Sequence, residues 1–268
     1  MNTKVPISII VILILVYAGC NDKTDTPEPK KFGKITISFN HVENGLPVLF
    51  DTLLYANEAG NPYLVNEIQY FISDVTLFRH DGYQKLISDW QDIYYVDTDI
   101  QETLQWEVYD KIEPGNYDSV GFRFGISAEK NKSFMYVNPP ERDMFWPEFL
   151  GGGYHYLKMN GKWLPEGQTF QTNPFDFHLG IGQVYLSYPD SITGFTHNDF
   201  WVSLPGSDLS ISEGENLQLE ITMHVENWFR NPHVYDHDEY GGDIMQNQEA
   251  MQMGRENGWD VFSVNVKK

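Results

Sequence analysis

Alternation of apolar and polar residues dominates the chain and predicts β-strands. In residues 35–41, Ile35, Ile37 and Phe39 share one face with His41, and polar residues lie between them. The same two-residue period recurs at 120–126 and 217–225, which is the spacing of strands with one buried face. Further strands are predicted at 68–78, 92–97, 154–160, 175–188 and 259–266.

The connections between these segments are short and turn-like, which favours antiparallel pairing. One helix is predicted late in the chain, with Asp243 as its cap, Gln246 at the reciprocal position and Gly258 at its end. The segment Asp99–Tyr109 is a candidate for a second, shorter helix. We therefore predict an all-β fold, an antiparallel β-sandwich with long loops and one or two short helices.

The first twenty residues have the features of an export signal. Lys4 supplies a basic residue, and the apolar run from Ile9 to Val16 is too short to cross a bilayer. The stretch ending at Cys20 resembles a bacterial lipobox, although Tyr17 stands where leucine is common. We predict that Cys20 is lipidated and anchors an outer-membrane lipoprotein that faces the periplasm or the cell surface. An ordinary secretory signal and an uncleaved membrane anchor are the alternatives.

Residues 21–31 are polar, contain Pro27 and Pro29 and lack an apolar period, which is typical of a flexible tether. Residues 32–268 show no second linker and no internal repeat, so a single domain is predicted there. The formal net charge of −20 disfavours nucleic acid as a partner and favours cations. Because Cys20 is the only cysteine, a metal ion would be held by His, Met, carboxylate or backbone oxygen.

Several stretches of the chain together resemble a known family, the MbnP-like proteins. These are copper-associated periplasmic proteins encoded beside methanobactin genes. The resemblance runs from about Lys34 to the end of the chain. It is carried by Asn66–Leu77, Pro114–Ile126, Asp143–Gly161, Phe175–Gly180, Asn231–Asp236 and Glu249–Phe262, in this order. It implies a single β-sandwich domain that is linked to copper.

His41 and His178 are the first candidates for a metal site. The alternation points His41 inward, where a neutral imidazole is either a hydrogen-bonded core residue or a good copper ligand. The resemblance implies that a histidine on the first strand and one in a strand like Phe175–Gly180 hold copper together. We therefore expect His41 and His178 to form one site, with copper as the expected ion and calcium less favoured.

The resemblance also implies a tryptophan that a dihaem peroxidase-like partner oxidises to kynurenine. In such relatives the tryptophan is close in sequence to the first-strand histidine, whereas here the tryptophan nearest to His41 is Trp90. Trp146 and Trp163, which lie in the glycine-rich aromatic region, are the remaining candidates. Simple packing in the core or in a loop is the alternative interpretation of both.

His233 and His237 form a second candidate metal site, because a spacing of four residues places them on one face of a helix. Pro232 and the acidic residues nearby favour a loop instead, whose oxygen atoms could hold calcium or be simply solvated. No nucleophile–base pair, phosphate loop or paired-carboxylate motif emerges from the sequence. We therefore do not expect the chain to be an enzyme.

These observations predict a lipid-anchored envelope protein that binds or handles copper and is modified by a dihaem peroxidase-like partner. An envelope glycan-binding lipoprotein that uses exposed aromatic residues is the alternative, and a structural or assembly subunit is a third hypothesis. Histidines brought within ligand distance of one another would favour the first. A coplanar row of exposed aromatic rings would favour the second.

Overall fold

A computed structural model describes residues 31–267, except for the side chains of residues 206–208. Residues 1–30, which contain the predicted lipidation site Cys20 and almost all of the predicted tether, lie outside the described residues. The strands are β1 (Gly33–Glu43), β2 (Leu46–Pro47), β3 (Tyr55–Ala56), β4 (Pro62–Phe78), β5 (Gln84–Leu86), β6 (Ile93–Asp97), β7 (Gln105–Ile112), β8 (Gly115–Phe124), β9 (Leu157–Trp163), β10 (Asn173–Leu179), β11 (Ile181–Ser187), β12 (Ser191–His197), β13 (Phe200–Ile211), β14 (Asn216–His224) and β15 (Phe262–Lys267). The α-helices are α1 (His237–Tyr240) and α2 (Gln248–Asn257). Within residues 31–267, neither helix is long and apolar enough to cross a membrane.

Two large sheets and one hairpin organise the strands. The first sheet has the order β15-β14-β1-β2, and β7 also pairs with β1. The second sheet has the order β10-β9-β4-β8-β13, and β3, β5 and β6 pair with β4. Strands β11 and β12 form a separate hairpin. Apolar side chains between the large sheets form the core, where the rings of Phe39 and Tyr70 lie 6.4 Å apart. The predicted all-β sandwich is confirmed.

The prediction of antiparallel pairing is correct for the described strand pairs except one. β1 and β14 run parallel, with Ile37 opposite Leu219 and His41 opposite Met223. A parallel pair needs a long crossover between its strands. The whole second sheet lies between β1 and β14 in the sequence and provides that crossover. The predicted inward face of β1 is confirmed, because Ile35, Ile37 and Phe39 are all buried.

Helix α2 confirms the helix predicted late in the chain, but the predicted start is wrong. The helix begins after Asn247, whose side-chain oxygen accepts a hydrogen bond from the Ala250 amide at 3.1 Å. Asp243, the predicted cap, accepts a hydrogen bond from the Met245 amide in a separate, preceding turn. Gly258 follows the last helical residue, as predicted.

The second predicted helix, Asp99–Tyr109, is wrong. Only Gln101–Leu104 forms a 3₁₀ turn, and β7 follows it directly. Trp106 and Val108 are buried in β7 while their sequence neighbours are exposed, because a strand turns alternate side chains to opposite faces. The ring of Trp106 stacks on that of Tyr94 at 4.7 Å. Packing on the core therefore decides that this segment is a strand.

A layer of loops covers the outer face of the second sheet, which is the face turned away from the core. Phe71 lies on this face, since its neighbour Tyr70 points into the core. It is nevertheless fully buried, because Tyr136 and Tyr154 from the segment between β8 and β9 pack on its ring at 5.6 and 6.2 Å. The outer face of the second sheet is therefore buried as well, beneath these loops. Two of the histidines lie there.

Candidate metal centre

The hairpin of β9 and β10 places His178 on the covered outer face of the second sheet. Tyr70 lies opposite Leu157, which in turn lies opposite Leu179. Residues directly opposite each other share a face of a sheet, so Leu179 points into the core together with Tyr70. His178 is the next residue along the strand and therefore points to the other face.

Three consecutive glycines shape the loop that delivers His155 to the same face. Gly151, Gly152 and Gly153 all have positive φ values, of 122°, 70° and 79°. A β-carbon on Gly153 would lie only 2.5 Å from the Asn131 side chain, so both the backbone angle and the available space require glycine. This explains the glycine run that the sequence shows just before His155.

Backbone contacts determine which nitrogen of His155 is free. The Met144 carbonyl oxygen lies 2.7 Å from the His155 amide nitrogen and 2.9 Å from its side-chain Nδ1. A carbonyl oxygen can only accept hydrogen bonds, so Nδ1 carries the proton and donates it. The neutral ring then leaves Nε2 unprotonated, and this buried atom has no hydrogen-bond partner among the described residues.

Two hydrogen bonds, one between Asn160 and Glu67 and one between His178 and Asn160, determine the tautomer of His178 in the same way. The Asn160 amide nitrogen donates a hydrogen bond to a carboxylate oxygen of Glu67, which fixes the orientation of the amide. The Asn160 oxygen then accepts a hydrogen bond from His178 Nε2 at 2.7 Å. The remaining nitrogen, Nδ1, is unprotonated and buried, and it too has no partner in the described part of the chain.

The two imidazole rings are neighbours. Their centroids are 5.0 Å apart and the ring planes are nearly perpendicular. Burial lowers the pKa of His155 to about 3. Burial first, and then electrostatic interaction with His155 and Lys158, lowers the pKa of His178 well below its usual value. Both rings are therefore neutral at pH 7, and each offers one nitrogen lone pair, which is the form in which histidine binds metals.

Trp146 completes this group. Its ring contacts the His155 ring edge-to-face at a centroid distance of 4.6 Å, and its Nε1 donates a hydrogen bond to the Leu150 carbonyl oxygen at 3.2 Å. The side chain is fully buried. Gly180 lies so close that a β-carbon there would come within 2.6 Å of the indole ring. Trp146, a candidate for oxidation, therefore lies beside the histidine pair.

His41 lies elsewhere, on the core side of the second sheet. Its ring contacts that of Tyr70 at 5.8 Å, and burial lowers its pKa to about 4. Its Nε2 is buried and has no partner among residues 31–267. Because His178 is on the opposite face of that sheet, the structure does not bring His41 and His178 together. The expectation of one site formed by both is replaced by a pair formed by His178 and His155.

His233 and His237 are also separate from each other. His233 is partly exposed and pairs with Glu256. His237 begins the short helix α1 rather than lying in a loop, and it is fully buried. Its ring stacks near-parallel to those of Trp163 and Phe175, at 5.8 and 4.5 Å. The pair does not form the common helix face expected from the spacing. Trp163, the other candidate for oxidation, contacts His237 and not the His155–His178 pair.

The described residues contain no group of three or more His, Cys, Asp or Glu side chains arranged to hold a metal ion. The His155–His178 pair therefore offers two nitrogen ligands. Imidazole nitrogen suits copper and zinc, whereas calcium prefers several oxygen ligands, so this donor set does not fit calcium. His155 follows three glycines closely in the sequence, which permit close approach, but no sequence pattern indicates its pairing with His178.

Fold and site together define a class of protein, an all-β sandwich domain that carries a buried histidine pair beneath a layer of loops. The family model MbnP matches residues 32–249, and the chain belongs to the MbnP family, whose members are periplasmic proteins related to copper and methanobactin. MbnP from Methylosinus trichosporium has a similar fold, with a TM-score of 0.55 and 14% sequence identity over 89% of this chain and 100% of that one. A comparison with curated proteins gave no match.

Proposed function

We propose that the protein binds copper through His155 Nε2 and His178 Nδ1 and handles copper in the cell envelope. The observation that carries this proposal is the pair of unprotonated, buried nitrogen atoms on neighbouring rings, neither with a hydrogen-bond partner among the described residues. Leaving such atoms buried and unbonded costs free energy, and a bound ion would recover part of it. Membership of a copper-related family supports copper over zinc. The ion would be cargo, since no catalytic group emerges from the sequence.

The test is a copper titration at pH 7 of metal-free protein, both wild type and the variants His155→Ala, His178→Ala and the double variant. Each single substitution should abolish tight copper binding, because a single remaining imidazole binds weakly, and the double variant should lose little more. His80→Ala is the matched control, since the His80 side chain is fully exposed, and it should bind copper as the wild type does. Thermal unfolding of each variant checks that the fold persists.

Two outcomes would contradict this site. One is wild-type copper binding in the double variant. The other is loss of binding in His41→Ala with retention in His155→Ala, which would place the ion on the core side of the second sheet. His41→Ala therefore belongs in the same series of measurements.

We also propose Trp146, rather than Trp163, as the residue that a dihaem peroxidase-like partner oxidises. The support is the contact between Trp146 and His155, which Trp163 lacks. Peptide mass mapping after co-production with such a partner should show kynurenine at position 146 in the wild type and in Trp163→Phe, but not in Trp146→Phe. Modification at position 163 alone would contradict the assignment.

Lipidation of Cys20 is the third part of the proposal. Its support lies in the sequence, where the only cysteine follows an apolar run at the position that a lipobox requires. A lipid anchor would hold the copper-binding domain at a membrane surface that faces the periplasm or the exterior.

A further inference from the structure

A groove runs along β7 at the edge of the first sheet, and neither His155 nor His178 is among the residues that line it. It consists of two cavities of about 620 and 400 Å³, which share Glu107 and Tyr109 as lining residues. These residues belong to β7, whose neighbour β1 provides Ser38 and Asn40 to the first cavity. The volumes are in the range of small-molecule sites. Because the two cavities lie next to each other along β7, the groove suits an elongated ligand better than a compact one.

The polar residues that line the first cavity are either uncharged or acidic. Its carboxamides come from Asn40, Gln91, Gln101 and Gln105, and its carboxylates come from Glu102 and Glu107. A carboxamide both donates and accepts hydrogen bonds, whereas a carboxylate only accepts them. No lysine or arginine is among the residues that line this cavity, whereas Lys34, Asp110 and Lys111 line the second cavity. The chemistry of the first cavity therefore suits a neutral ligand with many hydroxyl groups and disfavours an anion.

Aromatic rings form the floor and the rim. Tyr94 and Trp106 stack in the floor at 4.7 Å. At the rim, 69% of Tyr109 and 75% of Trp90 are exposed, and their rings contact each other at 6.3 Å. Exposed rings of this size leave apolar area in water, which is unfavourable. Two adjacent exposed rings beside a polar groove offer surfaces on which the apolar face of a sugar ring can pack.

We propose that this groove binds a neutral oligosaccharide. Hydroxyl groups of the sugars would exchange hydrogen bonds with the carboxamides of the first cavity and donate to its carboxylates. Tyr109, which lines both cavities, would contact a sugar ring, and Trp90 would extend that contact at the rim. The rings of Trp90 and Tyr109 meet at 66°, so they would contact different parts of one chain rather than form a flat platform. This site is separate from the copper site, since neither His155 nor His178 lines the groove.

The test uses the full protein with cellohexaose, maltohexaose, chitohexaose and xylohexaose as neutral probes, and oligogalacturonate as an anionic probe. Isothermal calorimetry gives the affinity, and tryptophan fluorescence provides a second signal, to which Trp90 at the rim and Trp106 in the floor of the groove would contribute. At least one neutral probe should bind saturably at millimolar concentration or below, and oligogalacturonate should not. Tyr109→Ala and Gln105→Ala should each weaken that binding about tenfold, which is the effect of losing roughly 1.4 kcal/mol.

Trp259→Ala is the matched control, because Trp259 is a tryptophan of similar exposure, 64%, outside the groove. It should leave the affinity unchanged, and thermal unfolding should show that all the variants are folded. The proposal is overturned if none of the neutral probes binds, if oligogalacturonate binds as well as they do, or if Tyr109→Ala and Gln105→Ala bind like the wild type. Copper binding measured in the same variants should be unaffected.

Discussion

Hydrogen bonds of single residues decide which nitrogen of each histidine is available to a ligand. The Met144 carbonyl oxygen fixes the proton of His155 on Nδ1, and Asn160 fixes that of His178 on Nε2. Such partners orient the ring of a metal ligand and hold its tautomer. The Glu67 carboxylate acts indirectly on His178, because it orients the Asn160 amide that holds the proton of His178. The candidate site therefore depends on residues that would not themselves touch the ion.

Replacing Asn160 should weaken copper binding without removing a ligand. In Asn160→Ala, His178 can move its proton to Nδ1, and we expect an affinity about 10- to 100-fold lower. Asn116→Ala is the control, since Asn116 is an exposed asparagine on β8. Copper titration of both variants measures the effect. An affinity of Asn160→Ala equal to that of the wild type would show that this hydrogen bond does not control the site.

His237 makes the free energy of unfolding depend on pH. It is fully buried, neither ring nitrogen has a partner in the described residues, and burial lowers its pKa to about 4. The unfolded chain, with a histidine pKa of about 6.5, therefore binds a proton before the folded chain does. The stability that the neutral ring contributes is present above pH 6.5 and is lost as pH falls towards 4.

The variant His237→Phe tests this reasoning, because phenylalanine fits the surrounding aromatic rings and cannot be protonated. The wild type should lose about 2 kcal/mol more stability than the variant between pH 7 and pH 5. Urea unfolding at the two pH values measures the difference, with His80→Ala as an exposed control. Parallel pH profiles of wild type and His237→Phe would contradict the assignment.

At the scale of elements, the alternation of apolar residues predicts strands well where one face is buried. β1, β8 and β14 all lie where this pattern placed them. The pattern did not predict β7, because the predicted helix Asp99–Tyr109 covers most of that strand. The buried residues of β7 can be recognised only once β1 is known to lie beside it. The helix predicted from Asp243 starts later, because Asn247 is the residue that caps it.

The turn between β10 and β11 positions the candidate site, and Gly180 is its critical residue. A β-carbon there would lie within 2.6 Å of the Trp146 ring, so Gly180→Ala should displace Trp146 and the adjoining His155. Overpacking of this kind costs about 1–3 kcal/mol. Gly194→Ala is the control, since a β-carbon at Gly194 meets nothing closer than 3.9 Å. Thermal unfolding and copper titration measure both effects, and equal behaviour of the two variants would contradict this role.

For the molecule as a whole, the acidic charge and the proposed lipid anchor bear on the surface at which the domain would work. The net charge of −20 disfavours contact with anionic surfaces and raises the local concentration of cations. A lipid on Cys20 would keep the domain at a membrane despite that charge, because burial of several acyl chains is a strong anchor. The proposed copper site and the proposed glycan groove would then both act at the envelope.

The variant Cys20→Ala tests the anchor. We expect the wild type in the membrane fraction, with a lipid mass on its mature N-terminus, and the variant to leave this lipid-anchored form. Copper binding by the folded domain should be the same in both. An unchanged fractionation together with an unchanged N-terminal mass would rule out lipidation at Cys20.

The fold class, the late helix and the family could be predicted from the sequence, because the alternation of buried residues and the family motifs follow one another along the chain. His178 and Trp146 were also among the candidates that the sequence offered. The pairing of His178 with His155, and the position of His41 across the sheet from it, became visible only in the folded molecule. The physical reason is that a strand turns neighbouring residues to opposite faces, so the register of β4, β9 and β10 and the glycine loop before His155 determine which side chains meet. Such contacts between distant segments leave no periodic signal in the sequence.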